Sequence, residues 1–288
     1  MKAAFQIGLV LLLCSGLAAR AFALDKQGSA HGGQLSGADS GVALSGSLLA
    51  GAAFFNPTYA ARPNNSGHAL ARLAPHFDLD LIGSRLSIPI DVNLFSDRDR
   101  SGLAKLAPSE LDLISGLTST WGLGPTALEL GARIERDMPV DRGSYSQTYV
   151  DTRARLLVSL DAFAPGLREA LDGGDISGSA TLGLFAYNPS YAARPDNTGL
   201  ALLRYGLHAQ LDYGKYVFFG ADTTFFTDRK LRPLAPSELD VSLDAGCHLV
   251  ESLAVHLYYE RDMPIDRASL VQHLAMLYLT WDFSLVGG

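Results

Sequence analysis

The segment Arg85–Phe95, RLSIPIDVNLF, is two interleaved lists: Leu86, Ile88, Ile90, Val92 and Leu94 fall on one side, Arg85, Ser87, Asp91 and Asn93 on the other. Successive side chains of an extended chain point to opposite faces, so this period of two marks a β-strand with one apolar and one charged face. Its neighbours repeat the pattern. Leu70–Leu81 sets Leu73, Phe77, Leu79 and Leu81 against Arg72, His76, Asp78 and Asp80, and Glu110–Trp121 sets Leu111, Leu113, Leu117 and Trp121 against Glu110, Asp112, Thr118 and Thr120. Ala127–Glu135 does the same with Leu128, Leu130 and Ile134 against Glu129, Arg133 and Glu135. Gly41–Phe55 opens the series and Tyr145–Leu160 closes it. Pro75 and Pro89 fall inside two of these strands and remove ladder donors, which predicts a bulge or a locally open ladder at each.

The whole series then recurs. NPTYAARPNNSGHALAR at Asn56 returns as NPSYAARPDNTGLALLR at Asn188 with 12 of 17 positions identical. FSDR at Phe95 answers FTDR at Phe226, LAPSELD at Leu106 answers Leu234, and ERDMPVDR at Glu135 answers ERDMPIDR at Glu260; the offset falls from 132 to 125. Small deletions are tolerated in connections, so the shared blocks read as punctuation between elements. Six further alternating segments follow, between Ile176 and Phe283. The expectation is twelve strands in two duplicated halves, 41–160 and 175–288, joined by DAFAPGLREALDGG at 161–174, which has room for a helical turn over Gly166–Leu171.

Composition narrows the class. Residues 1–23 read as a secretory signal peptide, from Lys2, the apolar run Ile7–Cys14 and the small-x-small site at Ala21-Phe22-Ala23, and residues 24–40 as a Gly/Ser-rich flexible tail. Cleavage would leave 21 basic and 30 acidic side chains (23 − 2 and 30 − 0), a net charge of −9, which disfavours a nucleic-acid partner. Only Cys247 would then remain, so no internal disulfide is expected. After the signal peptide no run approaches the roughly 20 apolar residues of a membrane helix, although 48% of the chain is hydrophobic. The apolar content is spread through strands.

Connections alternate too. Those near Gly83, Gly122–Pro125, Tyr213–Lys215 and His248–Glu251 are short, whereas those carrying NPxYAARP, the run before LAPSE, and ERDMPxDR are long and fall on one rim of an up-and-down sheet. Strands of about ten alternating residues, short turns at one end and longer loops at the other describe an all-β transmembrane antiparallel barrel. Closure is required because lipid cannot satisfy an open sheet edge.

With these features the chain resembles a Gram-negative outer-membrane β-barrel protein of porin-like type over Gly41–Phe283, and Tyr278–Phe283 resembles the aromatic-terminated last strand read by the barrel assembly machinery. The resemblance implies outer-membrane lipid and that machinery as partners and both termini in the periplasm. The polar faces would then line a lumen with Arg72, His76, Asp78, Asp80, Asp91, Glu110, Asp112, Arg133, Glu135, Arg204, His208, Asp212, Asp222, Glu238, Asp240 and Glu260. At the rim, Arg136, Asp137, Asp141 and Arg142, mirrored by Arg261, Asp262, Asp266 and Arg267, are expected to order their loops as Arg–carboxylate networks. Tyr59, Arg62, Tyr191 and Arg194 offer stacking and forked donors to a solute.

The function expected is passive passage of small hydrophilic solutes along an acid-rich lumen; a structural or surface-binding barrel with a filled lumen is the alternative. No enzyme is expected, and an outer-membrane lipid-modifying one is the least favoured alternative, since acyl chemistry needs a serine and a histidine in contact and neither the only loosely suitable base, His273, nor the nearby Ser269 has a counterpart in the first copy. No metal site is expected because His76 and His208 lack partners at ligand spacing, and no cofactor is implied.

Overall fold

The fold is that of a computed structural model, which describes residues 42–55, 70–81, 85–96, 108–139, 147–160, 163–164, 166–187, 202–227, 236–265 and 271–286. Twelve strands run β1 Ala43–Phe55, β2 Leu70–Leu81, β3 Leu86–Ser96, β4 Pro108–Leu123, β5 Thr126–Pro139, β6 Gln147–Ser159, β7 Asp175–Tyr187, β8 Leu202–Tyr213, β9 Val217–Thr227, β10 Pro236–Val250, β11 Leu253–Pro264 and β12 Gln272–Val286. Each pairs antiparallel with its sequence neighbours, and β1 pairs with β12 from Leu44↔Val286 to Phe55↔Leu274, so the sheet closes into a barrel with no free edge.

The apolar face of the alternation is the outside. Leu73, Ile90, Leu113, Leu130, Ile134, Val150, Leu182, Leu207, Leu243, Leu257 and Leu277 are all exposed there. In a water-soluble β-protein these would be the core, since contiguous exposed apolar surface of this extent is rare in such proteins; here the surface matches a hydrocarbon solvent. Trp121, Tyr213, Trp281 and Phe163 are exposed at the short-turn end, with Phe54 and Tyr259 toward the other. Such aromatic rings belong at the two membrane–water boundaries of a barrel. Phe77 and Phe283, outward on the two strands that flank Gly46 of β1, meet edge to face at 6.0 Å.

Both internal prolines open the ladder without shifting it. Between β2 and β3 the pair Leu73↔Leu94 is followed by His76↔Asp91, skipping Pro75 in unchanged register. Between β3 and β4, Ser87↔Thr118 is followed by Ile90↔Ser115, skipping Pro89. Toward β1 the register runs through Leu48↔Pro75 unbroken. The missing N–H is therefore absorbed by one neighbour only, and the locally open ladder rather than a bulge is the form it takes.

Strands run further into the long-connection end than hydrophobic alternation indicates. Pro108 and Pro236 open β4 and β10, where a strand's first residue tolerates proline, and β5 and β11 continue through the MP dipeptides to Pro139 and Pro264. The link from β6 to β7 contains one helical turn, α1 Leu167–Ala170, entered through Gly166 at φ 99° and left through Gly173 at φ 85°. It is tied down by Gly173 N–H donating to Arg168 O at 2.7 Å and by Gly214 N–H, in the β8–β9 turn, donating to Leu171 O at 2.8 Å. The segments read as signal peptide and tail lie outside the described residues. So does Cys14, on which the disulfide expectation turns; Cys247 is buried on β10.

Candidate functional site: the inner wall

Outward apolar residues fix the inner face of every strand by parity. Beside Leu73, β2 turns Arg72, His76, Asp78 and Asp80 inward; beside Ile90, β3 turns Asp91 inward; beside Leu113, β4 turns in Glu110 and Asp112, both buried. Arg133 and Glu135 come from β5, Arg204, His208 and Asp212 from β8, Asp222 from β9, Glu238 and Asp240 from β10, and Glu260 from β11. Carboxylates dominate this wall.

Two matching arrangements hold it, one in each half. On β2 and β3, Arg72 donates to Asn93 Oδ1 from Nη2 at 2.6 Å and from Nε at 3.2 Å, reaches Met276 Sδ at 3.2 Å, and lies 5.4 Å from the Phe95 ring centre. On β8 and β9, Arg204 lies 5.7 Å from the Phe226 ring and bonds Asp151 Oδ2 at 2.9 Å. Below them His76 sits between Asp91 at 2.6 Å and Asp78 at 2.7 Å, and His208 meets Asp222 at 2.8 Å. Cation–π contact and hydrogen bonding together fix each guanidinium. The rings beneath them gather into two buried clusters: Ala53, Phe95 and Met276 on one wall, Tyr149, Phe185 and Phe226 on another. Phe95 on β3 and Phe226 on β9 are six strands apart in a ring of twelve. The two clusters therefore form aromatic shoulders on opposite sides of the barrel.

The halves differ on β5 and β6 against β11 and β12. Arg133 donates to Glu135 at 3.0 Å and to the Tyr149 hydroxyl at 2.7 Å, while Arg153 and Arg155 both lie 3.6 Å from Glu129 Oε1. On the opposite wall the corresponding strands carry aromatic groups. His256 stacks on Tyr278 at 4.5 Å, is flanked by Phe218 at 4.7 Å, and meets Asp244 at 3.1 Å and Thr280 at 3.0 Å. The Tyr258 hydroxyl donates to Glu260. Among the described residues no group of three or more His, Cys, Asp or Glu is placed to hold a metal ion.

Two members of each rim network stand on strands rather than in the loop. Arg136 and Asp137 belong to β5, and Arg261 and Asp262 to β11. Adjacent strand residues face opposite sides, so each arginine is exposed outside while its aspartate turns inward, and the two cannot pair with each other. Asp137 stands across the ladder from Asp112, and Asp262 from Asp240. Like charges side by side are unfavourable, and each of the four has a further partner. Tyr59, Arg62, Asp141, Arg142, Tyr191, Arg194, Asp266 and Arg267 lie outside the described residues, as does Ser269; His273 Nδ1 meets the Tyr259 hydroxyl at 2.7 Å.

Charge alternation alone missed the aromatic members, Phe95, Tyr149, Phe185, Phe226, Tyr258 and Tyr278. Their signal was present: each occupies a polar-face position of its strand, where an aromatic residue breaks the pattern. Among the described residues the Asp151 carboxylate, 1% exposed, is the most enclosed ionisable group on the wall.

This architecture has solved counterparts. The NanC porin aligns over 81% of this chain and 98% of its own, at 9% identity and a TM-score of 0.51. The KdgM porin, solved in complex with disordered oligogalacturonate, aligns over 82% and 99% at 7% identity and a TM-score of 0.50. At these identities the likeness shows the fold, a closed antiparallel barrel of the outer-membrane porin type. No protein-family model matches the chain, and no curated protein matches it in sequence.

Proposed function

We propose that the protein is a passive channel of a Gram-negative outer membrane, through which small hydrophilic solutes diffuse along an acid-rich lumen, with both termini on the periplasmic side. The observation that carries the reading is the inverted surface: exposed Leu, Ile and Val outside, hydrogen-bonded charge inside, on a barrel with no edge. A bilayer supplies the solvent for the first, and water the solvent for the second. Small residues support an open path, since Ser45, Ser47 and Gly51 of β1 and Ser177, Ser179 and Gly183 of β7 take inner positions that bulky side chains would fill. The barrel fold shared with porins is consistent with passage. Carboxylates lining a narrow passage favour cations over anions.

The aromatic shoulders favour a second reading, a filled barrel that binds at its surface or braces the membrane. Planar-bilayer recording separates the two. A channel gives stepwise conductance with a cation-selective reversal potential, and the selectivity falls toward neutrality in the Asp78→Asn, Asp80→Asn, Asp212→Asn variant. Silence of the inserted wild-type barrel would overturn the channel.

A further inference from the structure

A cavity of about 280 Å³ opens on the inner wall of β6–β9 and is bordered by Arg153, Arg155, Arg204 and His208. We propose that it is a binding subsite for the carboxylate of a small zwitterion, of the amino-acid or short-peptide class, whose ammonium end faces the acidic wall opposite. The proposal rests on the channel reading for its access route, and names the solute that route takes.

Space comes from sequence. Ser177, Gly178, Ser179, Thr181 and Gly206 line the floor, so the strands between the arginines carry almost no side-chain bulk. The donors come from β6. Arg153 Nε and Arg155 Nη2 share one carboxylate oxygen, Glu129 Oε1, and at 3.6 Å neither contact is a hydrogen bond. Two guanidiniums thus lean on one acid and keep N–H groups for a ligand carboxylate, which their forked geometry suits. Arg204 adds a third charge and is itself held by Asp151 and the Phe226 ring. Glu129, Asp151 and Asp222 offset the three arginines, and His208 is a further basic group on the border, so a ligand carboxylate meets forked donors without an excess of negative charge.

The second copy shows that this charge belongs to one wall. With the offset of 125, Arg153 answers Tyr278 and Arg155 answers Thr280. In the closed ring β6 is opposite β12, and β8 opposite β2. The facing strands carry Asp282 on β12 and Asp80 on β2, beside Asp78 and Asp91, which His76 bridges. A solute seated on the arginines with its own positive charge presents that charge to this wall, which a bare anion cannot do.

The test uses the folded full-length barrel in non-ionic detergent and three small probes, one with both charges and two with one each: β-alanine, propionate and propylamine. Saturation-transfer NMR should show saturable binding of β-alanine, with propionate and propylamine at least about ten-fold weaker. Arg155→Thr and Arg153→Tyr install the residues of the other half, and each should weaken β-alanine about ten-fold, the worth of one charge-assisted hydrogen bond. Heat-modifiable electrophoretic mobility reports that each variant is folded. Equal affinity for the three probes, or β-alanine binding unchanged in both folded variants, would overturn the subsite. Binding is read without passage, so a silent bilayer with intact β-alanine binding sinks the channel alone, whereas conductance without such binding sinks the subsite alone.

Discussion

Asp151 and Arg204 show what the inner wall demands of single residues. The Asp151 carboxylate is 1% exposed and accepts from Arg204 at 2.9 Å. Its counterpart in the other half, by the offset of 125, is Met276, on whose sulfur Arg72 rests at 3.2 Å. The same clamp therefore works with an acid or a thioether beneath the guanidinium. Arg204→Met leaves a buried carboxylate uncompensated and should destabilise the barrel by about 3–5 kcal/mol. Asp151→Met imitates the first clamp and should cost less than about 1.5 kcal/mol, because Arg204 keeps Phe226 and a wetter exit to the lumen. Urea unfolding in lipid vesicles ranks the two variants, and an Asp151→Met barrel weaker than Arg204→Met would reverse the assignment. Asp151 was legible as an inward acid from parity, but its near-total burial was not. That comes from Arg204, 53 residues away and two strands over, and strand alternation records only which side a residue faces.

At the scale of elements, strand existence, order and parity were legible because the membrane enforces a strict two-sided pattern over each crossing. Beyond the hydrocarbon that selection ends. Accordingly the alternation ran out near Glu135 and Glu260, although β5 and β11 continue to Pro139 and Pro264, and Arg136 with Asp137 were read as loop. Cysteine labelling settles the parity: Arg136→Cys should react with a bulky impermeant thiol reagent without altering current, and Asp137→Cys should react and reduce it. The shoulders were hidden for a different reason. Phe95 and Phe226 sit on polar faces, where a sequence reader expects lumen charge, and only register brings Tyr149, Phe185 and Met276 around them. If these rings set the narrowest passage, Phe95→Ala and Phe226→Ala should each raise single-channel conductance, and the double variant should raise it further. Unchanged conductance in the double variant would place the constriction elsewhere.

For the whole molecule the decisive pairing is the one that joins the ends of the sheet, because an unclosed edge strands backbone donors and acceptors in lipid. The seam between β1 and β12 sets Gly51 directly against Tyr278, and a Cβ on Gly51 would run into the Leu277 carbonyl and the Tyr278 side chain. The equivalent pair inside the sheet is Gly183 against Arg153, where a Cβ would likewise meet the Thr152 carbonyl. In both places a glycine makes room for a large neighbour to lie flat along the wall, Tyr278 stacking on His256 and Arg153 bordering the cavity. The consequences of filling the gap differ with position. Gly183→Val disturbs one of eleven pairings formed between sequence neighbours, whereas Gly51→Val disturbs the single long-range pairing that closes the ring. Loop-closure entropy is spent before that last pairing returns any energy, so it forms late and tolerates least. Gly51→Val should therefore slow or abolish conversion to the heat-modifiable folded form in vesicles, while Gly183→Val should fold at near wild-type rate with altered β-alanine binding. Equal folding defects in the two variants would show that closure at β1–β12 is no more demanding than any other pairing in the barrel.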